Sequence, residues 1–147
     1  MAVNSIGIEG ATALAGALEK NETLITLDIS NNEFGNDSVI KIAKALTTKT
    51  NLKKLYIRGN TSDNIDYKIS NFGATAIADL LKINESLIEL DIANNIITKN
   101  GFEKIKAALK NNTKSKLNTL YMSNYDGITD NIVEDFQRTF EGRIVVK

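Results

Sequence analysis

Cysteine and histidine are both absent from the 147 residues of this chain, and their absence excludes several kinds of site. Without them the chain cannot form a Cys/His zinc site, a thiol nucleophile, a Ser-His-Asp triad or an imidazole general base. A stabilising disulfide bond is excluded as well. These exclusions favour a binding protein over an enzyme, so we expect no catalysis, no metal and no cofactor.

An excess of charge of either sign is also lacking, because eighteen Lys and Arg residues balance eighteen Asp and Glu residues. No overall field therefore favours nucleic acid or an anionic membrane as a partner. The N-terminus does not resemble a signal peptide, and no apolar run approaches the roughly 20 residues of a membrane span. We expect one soluble, cytoplasmic domain with no nucleic-acid or membrane partner.

A repeated segment is the dominant positive feature of the sequence. LITLDISNN from Leu24 recurs as LKKLYIRGN from Leu52, LIELDIANN from Leu87 and, altered at its end, LNTLYMSNY from Leu117. The expected division is a partial repeat at 1–23, repeats at 24–51, 52–86 and 87–116, and a last repeat with a C-terminal cap at 117–147. Each repeat leaves an apolar face that only a stacked neighbour can cover.

Each repeat contains a strand pattern followed by a helix pattern. TLDIS, KLYIR, ELDIA and TLYMS alternate between polar and apolar residues, as a strand with one buried face does. The segments beginning at Ile6, Phe34, Ile69, Ile97 and Ile128 carry apolar residues at helical spacing. Alternating strands and helices predict a parallel sheet covered by helices on one side.

The pattern LxxLxLxxN followed by a helix resembles the leucine-rich repeat family of the ribonuclease-inhibitor type. Within it, GATALA at Gly10 and GATAIA at Gly73 resemble GALA-type bacterial repeats. The resemblance implies an α/β solenoid, a short horseshoe with its sheet on the concave side and its helices on the convex side. It also implies a protein-binding role, as an intracellular scaffold or as a bacterial effector in the cytosol of a host cell.

Asparagines occupy the point where the strand of each repeat ends. A buried turn leaves backbone donors and acceptors that need partners, and an Asn amide supplies both. We therefore predict a structural ladder formed by Asn4, Asn32, Asn60 and Asn95.

The exposed face of the sheet is the predicted binding site for a protein partner. Tyr and Arg are enriched at binding hot spots, and they occur here among charged residues. The predicted contacts are Asp28, Lys54, Tyr56, Arg58, Glu89, Asp91 and Tyr121. The alternative is that these are ordinary solvent-facing residues of a fragment whose binding site lies in other repeats.

Departures from the repeat raise further possibilities. The second repeat is seven residues longer around Thr61 to Lys68, and this insertion is either a contact loop using Asp63, Asp66 and Tyr67 or a tolerated surface loop. The N-terminal edge lacks a capping segment, so we expect either that the chain is a fragment of a longer solenoid or that it self-associates through this edge. Phe136 and Phe140 belong either to a C-terminal cap or to an exposed partner site.

Two other functions are alternatives to partner binding through the sheet. Glycines at 7, 10 and 16 suggest a phosphate-binding turn, but they lack the Lys-Ser/Thr pair and the dinucleotide spacing. The other alternative is a regulator of an enzyme, either a GTPase activator using Arg58 as its charge-stabilising finger or a ubiquitin-ligase adaptor.

Overall fold

The structure is a computed structural model that describes residues 4–59, 64–123 and 128–147. Helices and strands alternate along these residues. The helices are α1 (Ile8–Lys20), α2 (Asn36–Leu46), α3 (Asn71–Ile83), α4 (Lys99–Asn111) and α5 (Asp130–Thr139). The strands are β1 (Thr26–Asp28), β2 (Lys54–Tyr56), β3 (Glu89–Asp91), β4 (Thr119–Tyr121) and β5 (Val145–Val146).

The strands form one parallel sheet in the order β1-β2-β3-β4-β5, which is also their order along the chain. Neighbouring helices pack against each other from α1 to α2, from α2 to α3 and from α3 to α4, as stacked repeats require. The predicted α/β solenoid, with a parallel sheet on one side and helices on the other, is therefore confirmed. The segment at the end of the chain adds β5 to this sheet.

The core lies between the sheet and the helices. One leucine from each of the first four strands points inward, and all four are buried: Leu27, Leu55, Leu90 and Leu120. The apolar stripe of the helices covers them, with Ile77 and Ile105 fully buried. The alternation in the strands and the helical spacing in the second half of each repeat thus supply the two halves of one core.

Aromatic side chains fill the core near α5. The ring of Phe136 lies between Phe102 and Phe140, with centroid distances of 5.0 Å and 4.7 Å. Phe136 and Phe140 are both buried. The alternative that these two residues form an exposed partner site is therefore wrong, because their rings complete the core beside α4.

Glycine permits close packing where neighbouring helices begin. A Cβ atom at Gly101 would lie 2.9 Å from the Cβ of Ala74 and 2.6 Å from Oδ1 of Asn71. A Cβ atom at Gly73 would lie 2.7 Å from Cγ1 of Val39. These distances are shorter than real Cβ contacts, so glycine at these places allows the first turns of α2, α3 and α4 to stack closely.

The insertion in the second repeat contains a short 3₁₀ helix, Ile65–Tyr67. The Asn64 side chain accepts a hydrogen bond from the backbone N–H of Asp66 at 3.0 Å and stabilises its first turn. The part of the insertion that includes Asp63 lies outside the described residues. Within residues 4–59, 64–123 and 128–147, no helix combines the length and the apolar character needed to cross a membrane.

Candidate functional site: the outer face of the sheet

The side chains that point away from the helices form two rows across β1 to β4. These two rows, together with Arg58 just beyond β2, are what we call the sheet face. Strand pairing aligns the first row and the second row as the sequence pattern predicts. The first row is Thr26, Lys54, Glu89 and Thr119, and the second row is Asp28, Tyr56, Asp91 and Tyr121. Neighbouring side chains within a row are close enough to bond, because adjacent strands are about 4.8 Å apart.

Glu89 lies at the centre of a polar cluster on this face. Its Oε2 atom is 2.9 Å from Nζ of Lys54, and its Oε1 atom accepts a hydrogen bond from the Tyr56 hydroxyl at 2.9 Å. The bond to Lys54 lowers the pKa of the Glu89 carboxyl against the effect of burial, and the hydrogen bond from Tyr56 and the nearby Tyr121 hydroxyl lower this pKa further. We call Lys54, Tyr56, Glu89 and Tyr121 the Glu89 cluster.

The partners of Glu89 respond in the opposite direction. The hydrogen bond and the charge of Glu89 raise the pKa of Lys54. Burial raises the pKa of the Tyr56 hydroxyl, and the bond to Glu89 adds to this effect. All three shifts favour the charge states that form the cluster near neutral pH, with an ammonium, a carboxylate and a neutral phenol.

Arg58 and Asp91 form the second ion pair of the sheet face. The Nε atom of Arg58 is 3.0 Å from Oδ2 of Asp91, while Oδ1 accepts a hydrogen bond from the N–H of Ala93 at 2.9 Å. The Asp91 side chain is only 13% exposed, against 37% for Arg58. The sequence pattern predicts an exposed Asp91, and this prediction is wrong. The Asp91 carboxylate is buried because it bonds to Arg58 and to the backbone. Ser30 and Ala93 are also buried.

Asp28 and Tyr121 lie at opposite sides of the second row. Asp28 is exposed, and its Oδ1 atom accepts a hydrogen bond from the N–H of Ser30 at 3.0 Å. The ammonium of Lys147 lies 5.6 Å from the centroid of the Tyr121 ring, within cation–π range. Sequence reasoning missed Lys147. The sequence feature that could have predicted its position is the apolar segment before it. This segment pairs with β4 and brings Lys147 to the sheet face.

The predicted Asn ladder lies at the end of the strands, below the sheet face. Asn95 donates to the carbonyl oxygens of Ile57 and Ile92 at 3.1 and 3.0 Å, and it accepts from the N–H of Ile69 at 2.9 Å. Asn32 accepts from the N–H groups of Asn4 and Ile6 at 3.2 and 3.3 Å. Both amides are buried and join one repeat to the preceding one. Asn60 lies outside the described residues.

Further asparagines join the repeats in places that sequence reasoning missed. The Oδ1 atom of Asn71 accepts from the N–H groups of Thr98 and Gly101 at 3.0 and 3.1 Å and so caps α4 from the neighbouring helix. Asn36 does the same for α3. Buried Asn84 and Asn112 donate to carbonyl groups of the preceding repeat. The only sequence feature that could have indicated these contacts is the frequency of Asn near the helix ends.

The structure gives no support to metal or nucleotide chemistry at the places considered. Across the described residues, no group of three or more carboxylates is arranged to hold a metal ion. A Cβ atom at Gly7 or Gly16 would meet nothing within 4 Å, so no close approach requires glycine there. The absence of a cofactor remains a prediction.

Comparison with known proteins identifies the repeat. A family model described as leucine-rich repeat matches residues 20–43. Mouse ribonuclease inhibitor is 31% identical over 84% of this chain, and RAN GTPase-activating protein 2 of Arabidopsis thaliana is 31% identical over 75% of it. This chain spans only 25% and 19% of the lengths of these relatives.

A solved structure shows that the likeness extends to the fold. The actin-binding site 2 of leiomodin-1 superposes with a TM-score of 0.74 at 18% identity, covering 90% of this chain and 74% of that one. The finer resemblance to GALA-type bacterial repeats stays a prediction. The repeat segments, the single parallel sheet and these relatives lead to one conclusion: the chain belongs to the leucine-rich repeat family, in its ribonuclease-inhibitor type.

Proposed function

We propose that this chain is a non-enzymatic interaction module that binds a protein partner through the sheet face. The contacts in this proposal are Asp28, Lys54, Tyr56, Arg58, Glu89, Asp91 and Tyr121. Tyrosine and arginine supply large contact area together with hydrogen bonds, which suits them to the centre of an interface. Asp91 acts by orienting Arg58, since its own carboxylate is mostly buried.

The Glu89 cluster is the observation that carries this proposal. Tyr56 and Lys54 are both bonded to Glu89, and Arg58 is bonded to Asp91, before any partner is present. Ordering flexible side chains costs about 0.5–1.5 kcal/mol each on binding, so side chains that are already ordered reduce that cost.

The names of the similar proteins supply the first partners to test. One relative is called a ribonuclease inhibitor, one a RAN GTPase-activating protein, and the leiomodin-1 structure is called an actin-binding site. A ribonuclease, Ran and actin are therefore the candidates for direct titration. Affinity capture from a lysate followed by mass spectrometry widens the search beyond them.

The test compares two double variants with the unmodified chain. Tyr56→Ala/Tyr121→Ala removes both aromatic rings from the sheet face. Lys41→Ala/Asp79→Ala is the matched control, because both residues are exposed on the helix side. A partner that is retained by the control and lost by the tyrosine variant supports the proposal, whereas equal retention by both folded variants rejects it.

A second candidate function is regulation of a GTPase, which the likeness to RAN GTPase-activating protein 2 favours. Arg58 would have to leave Asp91 to act as a charge-stabilising finger in the GTPase site. Stimulated GTP hydrolysis in a GTPase panel, lost in Arg58→Ala, supports this candidate. Partner binding without any stimulated hydrolysis supports the scaffold.

A further inference from the structure

A groove of about 740 Å³ lies at the beginning of α1, α2 and α3, apart from the sheet face. We call it the insertion groove, because Ile65, Asp66 and Tyr67 of the second-repeat insertion form one of its walls. Its walls include Ile8, Gly35, Ile65, Tyr67 and Phe72. None of these residues belongs to the binding surface proposed above, so the groove can be tested independently of that function.

The sequence forms this groove through one glycine and one insertion. A Cβ atom at Gly35 would collide with the backbone oxygen of Asp66, so the 3₁₀ segment lies directly against the start of α2. The N–H of Lys68 donates to the carbonyl oxygen of Ile65 at 3.0 Å and closes the short helix. This packing holds the insertion beside the helix ends and leaves Ile65 facing solvent.

Large apolar side chains are exposed along the groove. Phe72 is 78% exposed, Ile65 is 63% exposed and Ile8 is 42% exposed. Single exposed apolar residues are common, but three that line one concavity are typical of an interaction site. Burying one such side chain fully is worth about 1.5–3 kcal/mol, so a partner that covers Phe72 and Ile65 would gain substantial affinity.

Negative charge accompanies these apolar residues. The carboxylates of Glu33, Asp37 and Asp66 line the groove, and no Lys or Arg occurs among its described lining residues. Asp37 lies in the first turn of α2, where it offsets the positive end of the helix dipole. Glu33 and Asp66 remain as net negative charge, and this charge complements a cationic partner.

We propose that the insertion groove binds a segment of a partner protein that carries both apolar and Lys or Arg side chains. The apolar side chains cover Ile65 and Phe72, and the cationic side chains approach Glu33 and Asp66. The groove and the sheet face are separate contact surfaces of the same chain.

The experiment selects peptides from a random displayed library on the full folded chain. Peptides that also bind Ile65→Ser/Phe72→Ser are discarded, so that the remaining ones depend on the groove. We expect them to be rich in apolar residues and to carry net positive charge. No remaining peptide, or remaining peptides that are acidic or uncharged, would overturn the proposal.

Affinity measurements on a selected peptide then separate the two kinds of contact. We expect Ile65→Ser/Phe72→Ser to weaken binding at least about tenfold, as the loss of roughly 1.4 kcal/mol requires. Ile83→Ser is the matched control, because Ile83 is 59% exposed at the opposite end of α3, and it should leave binding unchanged. Glu33→Gln/Asp66→Asn should weaken binding and reduce its dependence on salt. Equal affinities for all variants contradict the proposal.

Sedimentation equilibrium tests the other possible occupant, a second copy of this chain. Sites with exposed apolar residues can pair with themselves, and this would be seen as a dimer whose fraction rises with concentration. We expect the unmodified chain and Ile65→Ser/Phe72→Ser to sediment alike. A dimer that only the unmodified chain forms would replace the peptide proposal by self-association.

Discussion

Two polar networks occur within the third repeat, and they differ in charge, in burial and in their partners. Asn95 is neutral and buried, and its amide bonds to backbone groups of its own and the preceding repeat. Glu89 is charged and partly exposed, and its carboxylate bonds to side chains. The Asn95 position holds Asn in most repeats, whereas the Glu89 position holds Thr, Lys, Glu and Thr in the four repeats. We infer that the shared residue serves stacking and the varied residue serves recognition.

The largest effect should follow from Asn95→Ala. This change leaves the N–H of Ile69 and the carbonyl oxygen of Ile57 without their partner inside the protein. Each unsatisfied buried group costs about 1–3 kcal/mol, so the free energy of unfolding should fall by about 3 kcal/mol. Urea denaturation of the variant and the unmodified chain measures this free energy of unfolding. Asn100→Ala on the exposed surface of α4 is the control, and a similar loss there would contradict the account.

A smaller loss should follow from Gly101→Ala. The new methyl group would press on Ala74 and on the Asn71 amide that caps α4, and overpacking of this kind costs about 2 kcal/mol. Gly16→Ala is the matched change in α1, where a Cβ atom meets nothing within 4 Å. Alanine should stabilise the helix there by about 0.5–1 kcal/mol. A melting temperature that shifts in the same direction for both variants would contradict this explanation.

The smallest effect concerns pH. The folded-state pKa of Glu89 lies below its ordinary value of 4.5, so its contribution to stability is present above that value and is lost as the pH falls through the folded pKa. Glu89→Gln should therefore make the acid-induced loss of stability shallower. Glu85→Gln is the control, because Glu85 lies 3.7 Å from Lys114 in an exposed pair. Identical acid profiles for the unmodified chain and Glu89→Gln would count against the cluster.

Much of the fold could be predicted because the same pattern of apolar and polar residues recurs in successive repeats. The alternation around Leu27, Leu55 and Leu90 fixes which face of each strand is buried, and equal spacing from these leucines aligns the rows. Strand length and helix period are local properties of the chain, so sequence reasoning reaches them.

The missed features depend on distances between repeats. Asn71 caps α4 only because Gly101 allows the two helices to begin close together. The Asp91 carboxylate is occupied in part by Arg58, which lies just beyond β2 in the preceding repeat. Neither contact follows from the period of the residues, since each joins residues in different repeats that no local pattern links.

The most direct test of the central claim measures binding and stability on the same variant. For a partner obtained by titration or capture, Tyr56→Ala/Tyr121→Ala should raise the dissociation constant at least about tenfold, which corresponds to 1.4 kcal/mol. Its free energy of unfolding should fall by only about 1 kcal/mol, because cross-strand pairs on an exposed face contribute little. A folded variant that binds with unchanged affinity would contradict the claim that the sheet face recognises the partner.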